Sequence, residues 1–216
     1  MRANRYIYLI GSFCICYNIE KQLRGENMIG LEIDVKQVLQ DRLAASLGLD
    51  KYQFIMDTAK RVDVSKDIEF QRMFNGFYRV RRDETWRKSY YEIFERMKYY
   101  EATFAEIITY LYEKTGNIEA SFSSKLLATL NPDKPIWDQY VLQNLSLELK
   151  GKTQEQKLDN AICLYNEIEK WYDEFLGTDK AKEYINEFDE MLPNYKWVSS
   201  VKKIDTVLWS IRWKSQ

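Results

Sequence analysis

An all-α fold is predicted, and three observations predict it. The chain of 216 residues holds only eight Gly and three Pro, too few to turn many β-hairpins. No segment sustains a two-residue alternation of apolar and polar side chains. Apolar residues instead return at three- and four-residue steps behind helix-start signals. With 45% apolar and 30% charged residues and a net charge of −1, the chain is long enough to bury a sizeable core. About nine or ten helices in one compact domain are expected, with two helical lobes as the alternative arrangement.

The elements follow in order. "VKQVLQDRLAASLGL" places Val35, Val38, Leu39, Leu43 and Leu47 on one stripe, with Gly48 as its stop. "KYQFIMDTAKRV" is the next helix, and "DIEFQRMFNGFYRV" follows Ser65. "DETWRKSYYEIFERMKYY" opens with acids where the helix dipole favours them. Thr103 and Glu106 form a capping box for "FAEIITYLYEKTG", which ends at Gly116, and Thr153 with Gln156 repeats the pattern before a long helix. In that helix Leu158, Ile162, Tyr165, Ile168, Trp171 and Phe175 line one face. Thr178 starts "TDKAKEYINEFDEML", which Pro193 stops. Ser199 or Ser200 caps the last helix, whose Ile204, Val207, Leu208 and Ile211 are expected to face inward.

Residues 6–17, "YIYLIGSFCICY", resemble a signal-peptide core, yet no small-residue cleavage site follows and the run is short for a membrane span. Arg24-Gly25-Glu26 is what a purine-rich ribosome-binding sequence would encode, and Met28 follows closely. Residues 1–27 are therefore read as an upstream-translated leader, with a signal or anchor as the alternative, and residues 28–216 as a single all-α domain of cytoplasmic location.

The absence of His removes the commonest metal ligand and the commonest general base near neutral pH. Chemistry would fall to carboxylates, Lys, Tyr or Cys. Cys14, Cys16 and Cys163 fit neither a disulfide framework nor a zinc site, and Cys163 reads as a small buried residue. No cofactor and no metal is expected. The net charge argues against coating nucleic acid by bulk electrostatics, but charge is uneven. Arg72, Arg79, Arg81, Arg82, Arg87 and Lys88 fall among Phe74, Phe77, Tyr78, Trp86 and Tyr90. Such a segment can meet phosphates and stack on unpaired bases, or can be a solvated turn whose aromatics are core. Arg79, Arg81, Arg82, Arg87 and Lys88 are the candidate nucleic-acid contacts. The acidic stretch 167–190 reads as a solvated face.

The segment "SSKLLATLNPDKPIWDQYVLQNL" carries the candidate site. Read plainly, "NPDKP" is a turn, Asp138 lies in the first turn of a helix, and Trp137, Tyr140 and Val141 pack. The order Pro135, Ile136, Trp137, Asp138, Gln139, Tyr140, Val141, behind the small-residue helix "ASFSSKLLATL", also resembles the active-site segment of the helix-hairpin-helix DNA glycosylase superfamily. The likeness spans residues 103–145, and "VKKIDTVLW" near the C-terminus resembles glycosylase-like helical proteins more loosely.

That resemblance implies a glycosylase-like fold acting on double-stranded DNA, with Asp138 as the catalytic aspartate and Trp137, Tyr140 and Lys125 lining the substrate pocket. A fixed anion suits N-glycosidic cleavage, which passes through a cationic sugar, and the target base must be flipped from the stack. The family's glycine-rich hairpin turn is replaced here by "KTGNIEASF", and Ser121 and Phe122 stand where its lyase lysine would be. Lys125 is one helical turn off, so a monofunctional glycosylase or a binder of damaged DNA is implied. The alternative is a non-enzymatic protein-interaction module, suited by the abundant Tyr and Trp. No membrane partner is expected.

Overall fold

The computed structural model describes residues 33–43 and 47–211, the side chains at 42 and 43 excepted. The expected leader, residues 1–27, lies outside them. Among the described residues there are ten α-helices, one short 3-10 turn and no strand: α1 (Val35–Leu43), α2 (Leu49–Ala59), α3 (Ile68–Tyr78), α4 (Glu84–Met97), α5 (Phe104–Thr115), α6 (Ala120–Leu130), α7 (Gln139–Asn144), α8 (Gln154–Leu176), α9 (Asp179–Met191) and α10 (Ser200–Ser210). None is long and apolar enough to cross a membrane.

Side-chain caps set most of the boundaries. Asp67 accepts from Phe70 N, Asp83 from Trp86 N, Thr178 from Ala181 N, and Ser199, rather than Ser200, from Lys202 N. The capping box at Thr103 is complete, Glu106 bonding back to the Thr103 N–H at 2.8 Å. The one at Thr153 is only half formed, because the Gln156 side chain accepts from Lys152 N instead. Gly48, the expected stop of the first helix, follows residues 44–46, which lie outside the described residues. It stands in the left-handed region, φ 68°, at the start of α2, a conformation that favours Gly.

Chain-adjacent helices pack in pairs: α2 on α3, α4 on α5, α5 on α6, while α2 also returns against α6. The long α8 lies on α5. Between α3 and α4 the core is aromatic. Phe70, Phe74, Tyr90, Tyr91 and Phe94 are almost wholly buried, and most of their ring pairs meet edge to face at centroid distances of 5.4–6.4 Å. Their polar tips are satisfied: Tyr91 donates to Asn75 Oδ1 at 2.8 Å and Tyr90 to the Phe122 carbonyl at 3.0 Å.

Helix α10 runs through the interior, touching α1, α7, α8 and α9. Ile204, Val207, Leu208 and Ile211 are buried as the periodicity predicts, but Lys203, Asp205, Thr206 and Ser210 are buried too. Each finds a partner. Lys203 pairs with Asp189 at 2.6 Å and donates to the Lys196 carbonyl, Thr206 and Ser210 bond back one turn, and Asn144 Nδ2 reaches the Leu208 carbonyl at 2.7 Å.

Phe74 is the hub of the aromatic cluster, touching Phe70, Tyr78, Tyr90, Tyr91 and Phe94. Phe74→Ala is expected to cost about 3–5 kcal/mol, measured by urea denaturation, because close-packed rings cannot collapse into the void.

Candidate functional site

The turn after α6 is an Asx turn, Asn131 Oδ1 accepting from Asp133 N at 3.0 Å. Pro135, Ile136 and Trp137 then descend into the core. The buried Tyr165 hydroxyl donates to the Pro135 carbonyl, and the Trp137 N–H donates to Ser124 Oγ, both at 2.8 Å. The Trp137 ring lies nearly parallel to Phe104, which stacks on Tyr165 at 3.9 Å. Trp137 is therefore a core residue tying α6 to α5 and α8, as the plain reading of the sequence had it. Tyr140 is half-buried on α7.

Asp138 is the N-cap of α7 and not a residue of its first turn, since its backbone is extended and the helix begins at Gln139. Its Oδ1 accepts from the Tyr140 N–H at 2.8 Å. Its Oδ2 has no hydrogen-bond donor among the described residues, and the side chain is half-exposed. The cap thus occupies one oxygen and leaves the other open to a ligand.

Behind Asp138 stand three more charged groups. Lys125, on α6, is enclosed by the Phe122 and Tyr78 rings, its ammonium 5.0 and 5.7 Å from their centroids. Its one hydrogen-bond acceptor among the described residues is Ser121 Oγ, at 3.0 Å. Lys202 and Asp205, on α10, form an ion pair at 2.8 Å. Tyr172 approaches the other Asp205 oxygen at 3.4 Å. The Tyr78 hydroxyl is buried in the same region without a well-formed hydrogen bond.

Electrostatics join the four groups into one cluster. Burial pulls the Lys125 ammonium below the usual lysine range and the like charge of Lys202 adds to this, while Asp138 and Asp205 oppose it. Burial pushes the Asp205 carboxyl up, against Lys202 and the Tyr172 hydroxyl, with the Asp138 anion adding to the rise. Lys125 and Asp205 are thus desolvated beside aromatic rings, with Lys202 paired to Asp205 and the half-exposed Asp138 within electrostatic reach.

The basic loop between α3 and α4 adjoins this cluster. Arg79, Arg81, Arg82 and Lys88 are exposed and Arg87 is half-buried. The Arg82 guanidinium lies 5.4 Å from the Phe122 centroid, so Phe122 has Arg82 and Lys125 on one ring. Arg82 is anchored by the buried Glu119 at 2.9 Å, and Glu119 also accepts from Trp86 Nε1 at 3.1 Å. Arg79 and Arg81 form no ion pair among the described residues.

Helices α5 and α6 make a helical hairpin whose turn carries one left-handed glycine, Gly116, φ 70°. Glu119 sits at the N-terminus of α6, beside the N–H groups that begin a helix. Its carboxylate makes no capping bond to those groups and is committed instead to Arg82 and Trp86.

Lys202 and Asp205 escaped the sequence reading, although "VKKIDTVLW" carries their signal: a Lys and an Asp three apart inside an apolar helix. Cys163, expected to be buried, is half-exposed. Among the described residues no three of His, Cys, Asp and Glu are grouped to hold a metal. A void bordered by Trp171, Phe175, Ile204 and Leu208 measures about 10 Å³, room for one water at most. Set against known protein families, curated proteins and solved structures, the chain matches none.

Lys202→Met is expected to destabilise the protein by about 3–5 kcal/mol in denaturant titration, because it strands the buried Asp205 charge. Adding Asp205→Leu should recover much of the loss. Lys125 gives a pH signature. Its folded-state value lies below 10.5, so between the two values the unfolded chain binds the additional proton. Stability relative to Lys125→Met should therefore rise with pH through that window toward 10.5. Paired denaturation curves at neutral and alkaline pH check the sign.

Proposed function

We propose that the protein is a DNA-associated, glycosylase-like protein of the cytoplasm that receives a base turned out of the duplex. Either it cleaves the N-glycosidic bond without a lyase step, or it binds the damaged site without cleavage. The observation that carries this reading is the open Oδ2 of Asp138, held at the edge of a desolvated Lys–Asp cluster. A fixed carboxylate in such surroundings is suited to stabilise a cationic sugar or activate water. The exposed Arg79 and Arg81, with Arg82 beside Phe122, supply the charge that a phosphate backbone needs. Lys88 is exposed too, at the solvent end of the same basic segment, whereas Arg87 is half-buried.

One observation favours the second reading, a non-enzymatic interaction module. Ile68 and Tyr99 are 80% and 77% exposed, an unusual display for large apolar side chains, and suit a protein interface.

Asp138→Asn separates the readings cleanly, because Asn caps a helix about as well as Asp while removing the charge. Duplexes with and without an abasic-site analogue would be titrated with both proteins at low and moderate salt. Wild type is expected to prefer the lesion duplex, more weakly as salt rises, and Asp138→Asn to lose that preference at unchanged thermal stability. If a damaged base is excised, the substitution should slow excision by about 100-fold or more. Equal behaviour of the two proteins leaves Asp138 as a cap alone and favours the interaction module.

A further inference from the structure

Trp197, a large apolar side chain that stands exposed, is linked to the charged cluster through Tyr52. It is 46% exposed and lies nearly parallel to Tyr52, 11° between planes and 5.9 Å between centroids. Tyr52 is almost wholly buried and leans on Phe77 at 5.7 Å. The Lys202 ammonium lies 5.4 Å from the Tyr52 centroid and 5.8 Å from that of Phe77. A path of contacts therefore leads from solvent through Trp197 and Tyr52 to the Lys202–Asp205 pair.

The ring is presented on a fastened segment. Val198 N bonds the Tyr195 carbonyl at 3.1 Å, Lys203 Nζ the Lys196 carbonyl at 3.0 Å, and Ser199 Oγ the Pro132 carbonyl at 2.6 Å. The Tyr195 hydroxyl is held by Asp50. With backbone and backing ring both fixed, Trp197 loses little freedom when something stacks on it. Lys51 and Lys196, the chain neighbours of Tyr52 and Trp197, are both exposed.

We infer that Trp197, backed by Tyr52, is a stacking platform for an unpaired nucleobase at the mouth of the Lys125–Asp138–Lys202–Asp205 cluster. The inference rests on the DNA reading above and adds the residue that would hold the strand beside the site. A half-exposed indole backed by a second ring is the kind of aromatic ledge on which an unpaired base stacks. Stacking on it tolerates any base, because every base has a π-face.

The test uses the full chain, wild type, Trp197→Ala and Trp197→Phe, each checked for an unchanged melting temperature. The probes are a short oligothymidine and a lesion duplex carrying 2-aminopurine beside the abasic analogue. Trp197→Ala is expected to weaken oligothymidine binding at least about fivefold and to abolish 2-aminopurine quenching. Trp197→Phe should restore most of both. The salt dependence should stay at the wild-type slope, since no charge is removed. Lesion binding that persists with affinity and quenching indifferent to Trp197→Ala overturns this inference alone. Failure of wild type to bind either probe overturns it together with the DNA reading.

Discussion

Burying a charged helix is the constraint on which the rest of the structure depends. Helix α10 is enclosed on nearly every side, yet carries Lys202, Lys203 and Asp205. An unpaired charge in such a place costs far more than one side chain can recover, so each must bring its counter-charge with it. Lys203 finds Asp189 on α9, while Lys202 and Asp205 find each other across one turn. The buried Leu208 carbonyl near the end of the helix is taken by Asn144 from α7. These links fix α10 in rotation as well as position, which apolar packing alone would leave looser.

The candidate site is a consequence of that fixation. Once Asp205 faces Lys202, the interior beside α6 already holds two opposite charges, and Lys125 and Asp138 complete a set of four. The set is neutral in sum but uneven in commitment. Lys202 and Asp205 are spent on one another, whereas Lys125 has a single hydroxyl acceptor among the described residues and Asp138 keeps one oxygen open.

Aromatic rings connect this interior to two surfaces. Phe122 carries Lys125 and Arg82 on one ring and so ties the cluster to the basic loop. Tyr52 carries Lys202 and Trp197 and ties it to the opposite approach. Glu119 shapes the first of these twice over: it holds Arg82 in place, and it occupies the start of α6 with negative charge.

The sequence by itself determined the helices and most of their ends, because caps and three-to-four-residue periodicity are local. Thr103 with Glu106, Asp67, Asp83 and Thr178 act within one turn, and each is legible from the letters. Asp138 was legible as a candidate through a turn followed by a lone carboxylate, and Lys125 only through the resemblance of its segment to a known family. The inward orientation of Lys203 and Asp205 was decided only by tertiary structure. Local spacing marks the apolar face of a helix, but whether the opposite face meets water or another helix depends on α1, α7, α8 and α9, distant in the chain. That long-range enclosure desolvates the charges, and desolvation turns an ordinary Lys–Asp spacing into a site.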